Sequence, residues 1–173
     1  MRNEESLSPN SPYVFDFIGG HNNSYTFKTI NKITYEVTFK PTTYLFGEES
    51  IFSQQTFEFS IILVDNPANF VPLDKSVAPT VVAVFIDFYE NAKDTIAIYI
   101  CDSSDGKQIL RQRKFNDWFE IYRQASFIKI DSGFVESDGT FYPVSLIIKE
   151  QNPYRVQIFE QFLNVIDGYN ATK

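Results

Sequence analysis

The chain has 173 residues, a net charge of −7 and an aromatic share of 17%. Its length suits one globular domain with a sizeable core, and so many rings argue against intrinsic disorder. The acidic balance disfavours nucleic acid as a partner, because the chain as a whole repels a phosphate backbone. No stretch reaches the roughly 18 apolar residues of a membrane-spanning helix, so we expect no membrane association.

The first half of the chain predicts a tail followed by strands. Residues 1–12 are polar and include prolines, which predicts a disordered tail. Around Asn31-Lys32 the pattern predicts a hairpin, and its second strand alternates apolar and polar residues. A loop with apolar anchors covers residues 41–55. The predicted strands are 13–18, 24–30, 33–40 and 56–64.

The second half predicts helices alternating with strands. Asn152-Pro153 marks the start of a last helix, and Gly168 marks its end. Asp138-Gly139 predicts a hairpin turn. The predicted strands are 95–101, 126–130 and 140–149. The first predicted helix, 77–91, would bury Val81, Val84, Phe85 and Phe88 and leave Asp87 solvated. The second, 107–124, would bury Phe115, Trp118, Phe119 and Tyr122. The last helix would bury Phe159, Phe162, Leu163 and Ile166.

The segment 95–101 is an unbroken apolar run that ends at Cys101. Such a run predicts an interior strand buried on both faces. A right-handed crossover through helix 77–91 would place it parallel to strand 56–64. The lone cysteine cannot form an intrachain disulfide, and residues 1–13 lack an apolar signal core, so we expect a cytoplasmic protein and a core thiol.

The element order from residue 24, β-β-β-α-β-α-β-β with an added helix, resembles the GNAT-type N-acetyltransferase fold. The resemblance is clearest over residues 74–149. Tyr122, Ser126 and Phe127 also resemble that family's Tyr-x-x-x-Gly-Phe pattern, with Ser in place of Gly. The resemblance implies an α+β fold with a mixed, mostly antiparallel sheet and helices on both faces. Because the sequence has no internal repeat and no linker rich in Gly or Ser, we expect one domain over residues 13–168 and a tail at 169–173.

The family's cofactor loop precedes the helix that follows the fourth strand. The resemblance therefore implies acetyl-CoA or another acyl-CoA as cofactor, held by Lys75, Ser76 and Val77, with no metal. Glycines normally let backbone N–H groups approach the pyrophosphate there. Residues 71–79 contain no glycine, two prolines and Asp74, so the implied coenzyme A site is degenerate.

The resemblance assigns Tyr122 as the general acid that protonates the leaving thiolate. Glu36 and Glu58, on the polar faces of their strands, are candidate bases for the attacking amine. The alternatives are that Tyr122 is a core ring and that both glutamates are solvated. The first functional reading is thus a diverged acyltransferase-type domain.

The second reading is a non-catalytic protein-interaction module on the same scaffold, such as an immunity or accessory factor. Its contact surface would be the loop 41–55 and a cationic helix end formed by Lys107, Arg111, Arg113 and Lys114, which would dock an acidic protein partner. Arg111 shares the face of the helix rings, so it needs a carboxylate such as Asp102 unless it extends to solvent. Asp105 is the expected helix cap.

A further resemblance involves residues 98–107 together with Trp118-Phe119. This combination resembles an uncharacterised family of small bacterial proteins. The resemblance implies no activity and leaves both functional readings open.

Overall fold

The computed structural model describes residues 11–101, 104–122 and 126–172. Asp102 and the middle of the Tyr122–Phe127 pattern therefore lie outside the described residues, as does most of the predicted N-terminal tail. The strands are β1 (Phe15–Gly19), β2 (Ser24–Lys28), β3 (Thr34–Pro41), β4 (Thr56–Asp65), β5 (Ile96–Ile100), β6 (Phe127–Val135) and β7 (Phe141–Lys149). The helices are α1 (Val77–Asn91), α2 (Gln108–Tyr122) and α3 (Arg155–Ala171), with a 3-10 turn at Ser53–Gln55.

Within the described residues, seven strands form one sheet in the order β1-β2-β3-β4-β5-β7-β6. The β1–β2, β2–β3, β5–β7 and β6–β7 pairings are antiparallel, and β4–β5 is parallel. β5 thus lies between β4 and β7, and its residues 96–98 are almost fully buried. The predicted interior parallel strand is confirmed. The α+β class and the GNAT-like element order with a C-terminal helix are confirmed as well.

The chain divides into two compact units, one of residues 11–38 and 61–91, the other of residues 39–60 and 92–172. A single domain over 13–168 stays a prediction. None of the helices in the described part of the chain has the length and hydropathy needed to cross a bilayer.

In the first unit, α1 forms over the residues predicted for it. It buries Val84 and Tyr89, while β2 and β3 bury Tyr25 and Val37. The prediction of a solvated Asp87 is wrong, because its Oδ2 accepts a hydrogen bond of 2.8 Å from the Tyr25 hydroxyl. Burial, followed by this carboxylate, raises the pKa of Tyr25 above its ordinary value.

In the second unit, one face of the sheet carries the apolar core under α3. Ile96 and Ile98 of β5 belong to this core together with Ile158, Phe162 and Ile166 of the helix. The buried positions recur every four residues along α3, which places them in one narrow stripe. The predicted stripe was partly wrong, because Phe159 is half-buried and Leu163 is exposed.

The opposite face of the same unit is covered by α2. The rings of Tyr99 and Phe115 stack with centroids 4.4 Å apart, and Phe59 lies 5.7 Å from Phe115. Because successive strand residues point to opposite faces, Tyr99 and Ile98 lie on different sides of β5. Helices on both faces of the sheet are therefore confirmed for this unit.

Helix α2 is less buried than its sequence predicts. Phe115 is buried, whereas Trp118, Phe119 and Tyr122 are half-buried. The Lys114 ammonium lies 4.9 Å from the Trp118 ring centroid, so this ring stacks against a cation near the surface. The predicted core stripe of α2 is thus reduced to one ring.

The ends of α3 differ from the prediction. The helix begins at Arg155, because the Asn152 side chain accepts a hydrogen bond of 2.9 Å from Tyr154 N–H and forms a turn before it. The helix continues through Gly168 to Ala171, so the predicted C-cap is wrong. Contacts with neighbouring elements hold this last turn, including a bond of 2.6 Å from the Tyr169 hydroxyl to Glu136.

Candidate functional site

The start of α1 is where the resemblance places the cofactor pyrophosphate. There, Asp74 Oδ1 accepts a hydrogen bond of 2.9 Å from Ser76 N–H, and Asp74 Oδ2 accepts one of 2.8 Å from the Tyr13 hydroxyl. Tyr13 N–H in turn donates to Thr80 Oγ1 at 2.7 Å. A carboxylate of the chain thus occupies the positive end of this helix.

The predicted cofactor residues surround this carboxylate. Lys75 is exposed, whereas Ser76 and Val77 are half-buried. Pro79 is buried and has no N–H to offer an anion. Burial, followed by the Asp74 contacts, raises the pKa of Tyr13, so this phenol remains a neutral donor to the carboxylate.

The candidate bases lie in different units. Glu36 is half-buried on β3, opposite Thr26 of β2. Glu58 is half-buried on β4 and pairs in register with Ile98. Its Oε2 accepts a hydrogen bond of 3.0 Å from the Tyr44 hydroxyl.

Tyr122 and Glu58 stand on opposite sides of the sheet in the second unit. Glu58 shares the face of Ile98, which is the face that α3 covers. Tyr122 is the last residue of α2, which packs through Phe115 on the other face. This geometry does not bring the predicted acid and this candidate base to one reacting centre.

The parallel contact between β4 and β5 is short. Its register begins at Thr56↔Ile96 and ends at Glu58↔Ile98, although β4 continues to Asp65. The residue after Ile98, Tyr99, pairs with Ser145 of β7.

Arg111 has a local partner. Its Nη1 and Nη2 donate to the two oxygens of Asp105, each at 2.7 Å. Asp105 Oδ1 also accepts a hydrogen bond of 3.1 Å from Lys107 N–H, as the predicted cap would. The Arg111 guanidinium, as the largest cause, lowers the pKa of Asp105 to about 2. Asp102, the partner expected from the sequence, lies outside the described residues.

The rest of the cationic end is open to solvent. Lys107, Arg113 and Lys114 are exposed, and the adjacent Ile109 and Leu110 are 47% and 58% exposed. We call these five residues the α2 docking face. It combines two aliphatic side chains with three cations.

A polar cluster that the sequence did not predict lies between α2 and β6. Lys129 Nζ donates a hydrogen bond of 2.6 Å to Asn116 Oδ1 and another to Asp131. Ser145 donates to Asp131 Oδ1 at 2.6 Å. The Lys129 side chain is only 6% exposed and lies 5.7 Å from the Phe119 ring centroid. The sequence did carry a signal, since Lys129 and Asp131 are two positions apart on a strand and so share a face.

A family model matches residues 73–164, which is more than half of the chain. The chain belongs to DUF6169, a family of unknown function. The expected membership of an uncharacterised family is therefore confirmed. The match begins one residue before Asp74 and includes α1, β5, α2, β6, β7 and the first part of α3.

Among solved structures, this DUF6169 chain is similar to one described as "Crystal structure of a putative phosphinothricin N-acetyltransferase". The identity is 16%, the TM-score is 0.43, and the match covers 77% of this chain and 75% of that chain. At this level the comparison carries no argument about activity. Among curated proteins, no significant match is found.

Proposed function

We propose that this DUF6169 chain is a non-catalytic protein-interaction module on a GNAT-like scaffold, and that it docks an acidic partner through the α2 docking face. The observation that carries the proposal is the Asp74 carboxylate at the start of α1. An acyl-CoA would have to place its pyrophosphate beside this charge.

The repulsion between the Asp74 carboxylate and a cofactor phosphate can be estimated. Two like unit charges about 4 Å apart near a protein surface repel by about 4 kcal/mol. A penalty of that order weakens binding roughly a thousandfold. Lys75 is exposed and can offset only part of it. Ser76 N–H, a donor that an incoming phosphate would need, is already bonded to Asp74.

The predicted acid and base also favour a non-catalytic role. Proton transfers to a leaving group and from a nucleophile require both residues within reach of one centre. Tyr122 and Glu58 lie toward opposite faces of the second unit's sheet. The acyltransferase reading would therefore have to rely on Glu36, the other candidate base, or on a base that the sequence did not predict.

The α2 docking face has the features expected of a surface that binds an acidic segment. Exposed aliphatic side chains next to each other offer apolar area, and Ile109 and Leu110 supply it here. Lys107, Arg113 and Lys114 surround them with positive charge, whereas the charge of Arg111 is balanced by Asp105. Apolar area flanked by cations suits an acidic amphipathic segment, whose charges would steer association.

The first experiment is calorimetry with coenzyme A and with acetyl-CoA. We expect no heat of binding at millimolar ligand. Binding in the micromolar range would contradict the proposal and favour the acyltransferase reading. In that case Tyr122→Phe should lower turnover while leaving the affinity for acetyl-CoA unchanged.

The second experiment measures docking directly, by fluorescence anisotropy of a synthetic acidic amphipathic helix built from Glu and Leu. We expect reversal of Lys107, Arg113 and Lys114 to Glu to weaken binding at least tenfold. The matched control reverses the exposed Lys28, Lys40 and Lys93, which changes the net charge equally.

Two results would refute the docking face. One is equal loss of affinity in both triple variants, which would indicate only overall charge. The other is tight binding of a control peptide in which Lys replaces every Glu. The second result would indicate that the cations of this surface do not select an acidic partner.

A further inference from the structure

Strand β6 forms one outer edge of the sheet of described strands. Hydrogen bonds to Asn170 of α3 show which of its backbone N–H and C=O groups point away from β7. Asn170 Oδ1 accepts a hydrogen bond of 3.1 Å from Val135 N–H. Asn170 Nδ2 donates one of 3.2 Å to the Gly133 carbonyl. The backbone groups of these two odd-numbered residues therefore point away from β7. The asparagine amide pairs with this edge as a neighbouring strand would.

The even-numbered residues next to β6 point the other way. Glu136 N–H donates to the Thr140 carbonyl at 2.9 Å, within the hairpin to β7. At the other end, the Ser126 carbonyl accepts a bond of 2.8 Å from Glu150 N–H. The β6–β7 register is regular between these ends. Because the backbone groups alternate in direction along an antiparallel strand, Lys129 and Asp131 also point outward.

Among the described residues, the outward backbone groups of Lys129 and Asp131 make no hydrogen bond. For Lys129 and Asp131, only side-chain bonds are present in this part of the chain. Two outward residues in alternation span about 7 Å of edge. Such an edge is a template for pairing with another extended segment.

A pocket of about 300 Å³ adjoins this same stretch. It is lined by Asn116, Phe119 and Glu120 of α2 and by Ile128, Lys129 and Asp131 of β6. The buried Lys129 ammonium fixes its shape, because it bonds to the helix through Asn116 and to the strand through Asp131. The helix and the edge thus form the two walls of a preformed site.

We propose that the outer edge of β6 and this pocket bind an extended peptide segment that carries a basic side chain. The peptide backbone would pair with Lys129 and Asp131, as in strand addition. The basic side chain would enter the pocket, where the Asp131 carboxylate would accept its hydrogen bonds.

The pocket chemistry supports this choice of side chain. Asp131 Oδ1 already accepts from Lys129 and Ser145, which leaves Oδ2 for a ligand, and the side chain is 41% exposed. Phe119 also lines the pocket, and its ring already lies beside the Lys129 ammonium, as an aromatic ring can beside a cation. This inference goes beyond the proposed function and uses a different surface from the α2 docking face.

The test is an NMR titration with a blocked six-residue peptide of Thr and Val carrying one central Arg. We expect the Lys129 and Asp131 amide signals to shift and their hydrogen exchange to slow. A peptide with Glu in place of Arg should bind at least tenfold more weakly. A peptide N-methylated at its central amides should not bind, since it cannot pair with a strand.

The protein variant for this test is Asp131→Asn, which keeps acceptors for Lys129 and Ser145. We expect it to abolish most of the discrimination between the Arg and Glu peptides, with an unchanged circular dichroism spectrum. Reversal of Lys107, Arg113 and Lys114 should leave this binding unchanged. Failure here is thereby distinguishable from failure of the proposed function.

Three results would overturn the inference. The first is no amide shift at millimolar peptide. The second is equal binding of the N-methylated peptide, which would exclude strand pairing. The third is a dimer in sedimentation with slow exchange at Lys129 and Asp131 without peptide, which would assign the edge to a second copy of the chain.

Discussion

Replacing Asp74 by Ala tests whether its carboxylate holds the start of α1. The substitution removes the bond to Ser76 N–H, and loss of such a helix-terminal cap costs about 1 kcal/mol. It also removes the acceptor of the half-buried Tyr13 hydroxyl, and a hydrogen bond to a charged group contributes about 1.5–3 kcal/mol. We expect the free energy of unfolding to fall by about 3 kcal/mol.

The assay is urea unfolding followed by far-ultraviolet circular dichroism, because this signal includes the helical content of α1, whereas the single tryptophan, Trp118, lies in α2. Tyr13→Phe and the double variant complete a cycle. The two single effects should not add, and the coupling should be about 1 kcal/mol or more.

A loss under about 0.5 kcal/mol in Asp74→Ala would contradict a stabilising role for this carboxylate, since a loss of that size is typical of an ordinary surface site. Strict additivity in the cycle would also refute it. In either case no fixed carboxylate would block the phosphate site, and coenzyme A binding at the start of α1 would be open again.

Three further predictions concern the second unit. Carbon-detected NMR should show that the side-chain carboxyl of Asp105 titrates near pH 2. Because the pKa of this carboxyl is lowered on folding, its ion pair with Arg111 is lost only as the pH falls through that value. Arg111→Gln should return the titration midpoint toward about 4. Asn170→Ala should cost about 1 kcal/mol in urea unfolding and increase self-association in sedimentation, because it exposes more of the β6 edge; unchanged sedimentation would contradict the edge argument. Gly133→Ala should cost about 1–3 kcal/mol, because the added Cβ would clash with the Phe141 ring and would lie 2.8 Å from the Tyr142 carbonyl oxygen; a neutral effect in thermal unfolding would mean that both neighbours move aside.

The sequence predicts the secondary structure well where the apolar pattern is strong. Helix α1 and the interior strand β5 follow from a stripe and an unbroken apolar run, and the structure confirms both. The turn at Asp138-Gly139 is also confirmed, with Gly139 at a φ of 84°. The sequence alone is enough to predict the secondary structure of these segments, because residue propensity, apolar periodicity and burial all favour the same structure.

The predicted ends of helices and strands are wrong where contacts with residues distant in the sequence determine those ends. Gly168 resembles a helix end, but the helix continues because Tyr169 and Asn170 bond to the region of β6. The predicted strand ended at residue 130, whereas β6 continues to Val135 beside its partner. Tertiary pairing extends both elements beyond what their own residues indicate.

The candidate site could be predicted only in part. The missing glycines before α1 indicate a degenerate loop, but only coordinates place the Asp74 carboxylate on Ser76 N–H. The pairing of Arg111 with Asp105 depends on the geometry of a loop, which residue spacing does not give. The Lys129 cluster depends on where α2 crosses the sheet, which no local pattern specifies.

The start of α1 and the outer edge of β6 both expose backbone groups that need hydrogen-bond partners. At the start of α1 the chain supplies its own anion, Asp74, to a backbone donor that a cofactor phosphate would otherwise use. At the outer edge of β6 it supplies its own amide, Asn170, to Gly133 and Val135 but not to Lys129 and Asp131. A self-satisfied helix end argues against a ligand, whereas a half-covered edge beside a preformed pocket argues for one. Binding to this protein should therefore be sought at β6 and α2 rather than at the cofactor loop.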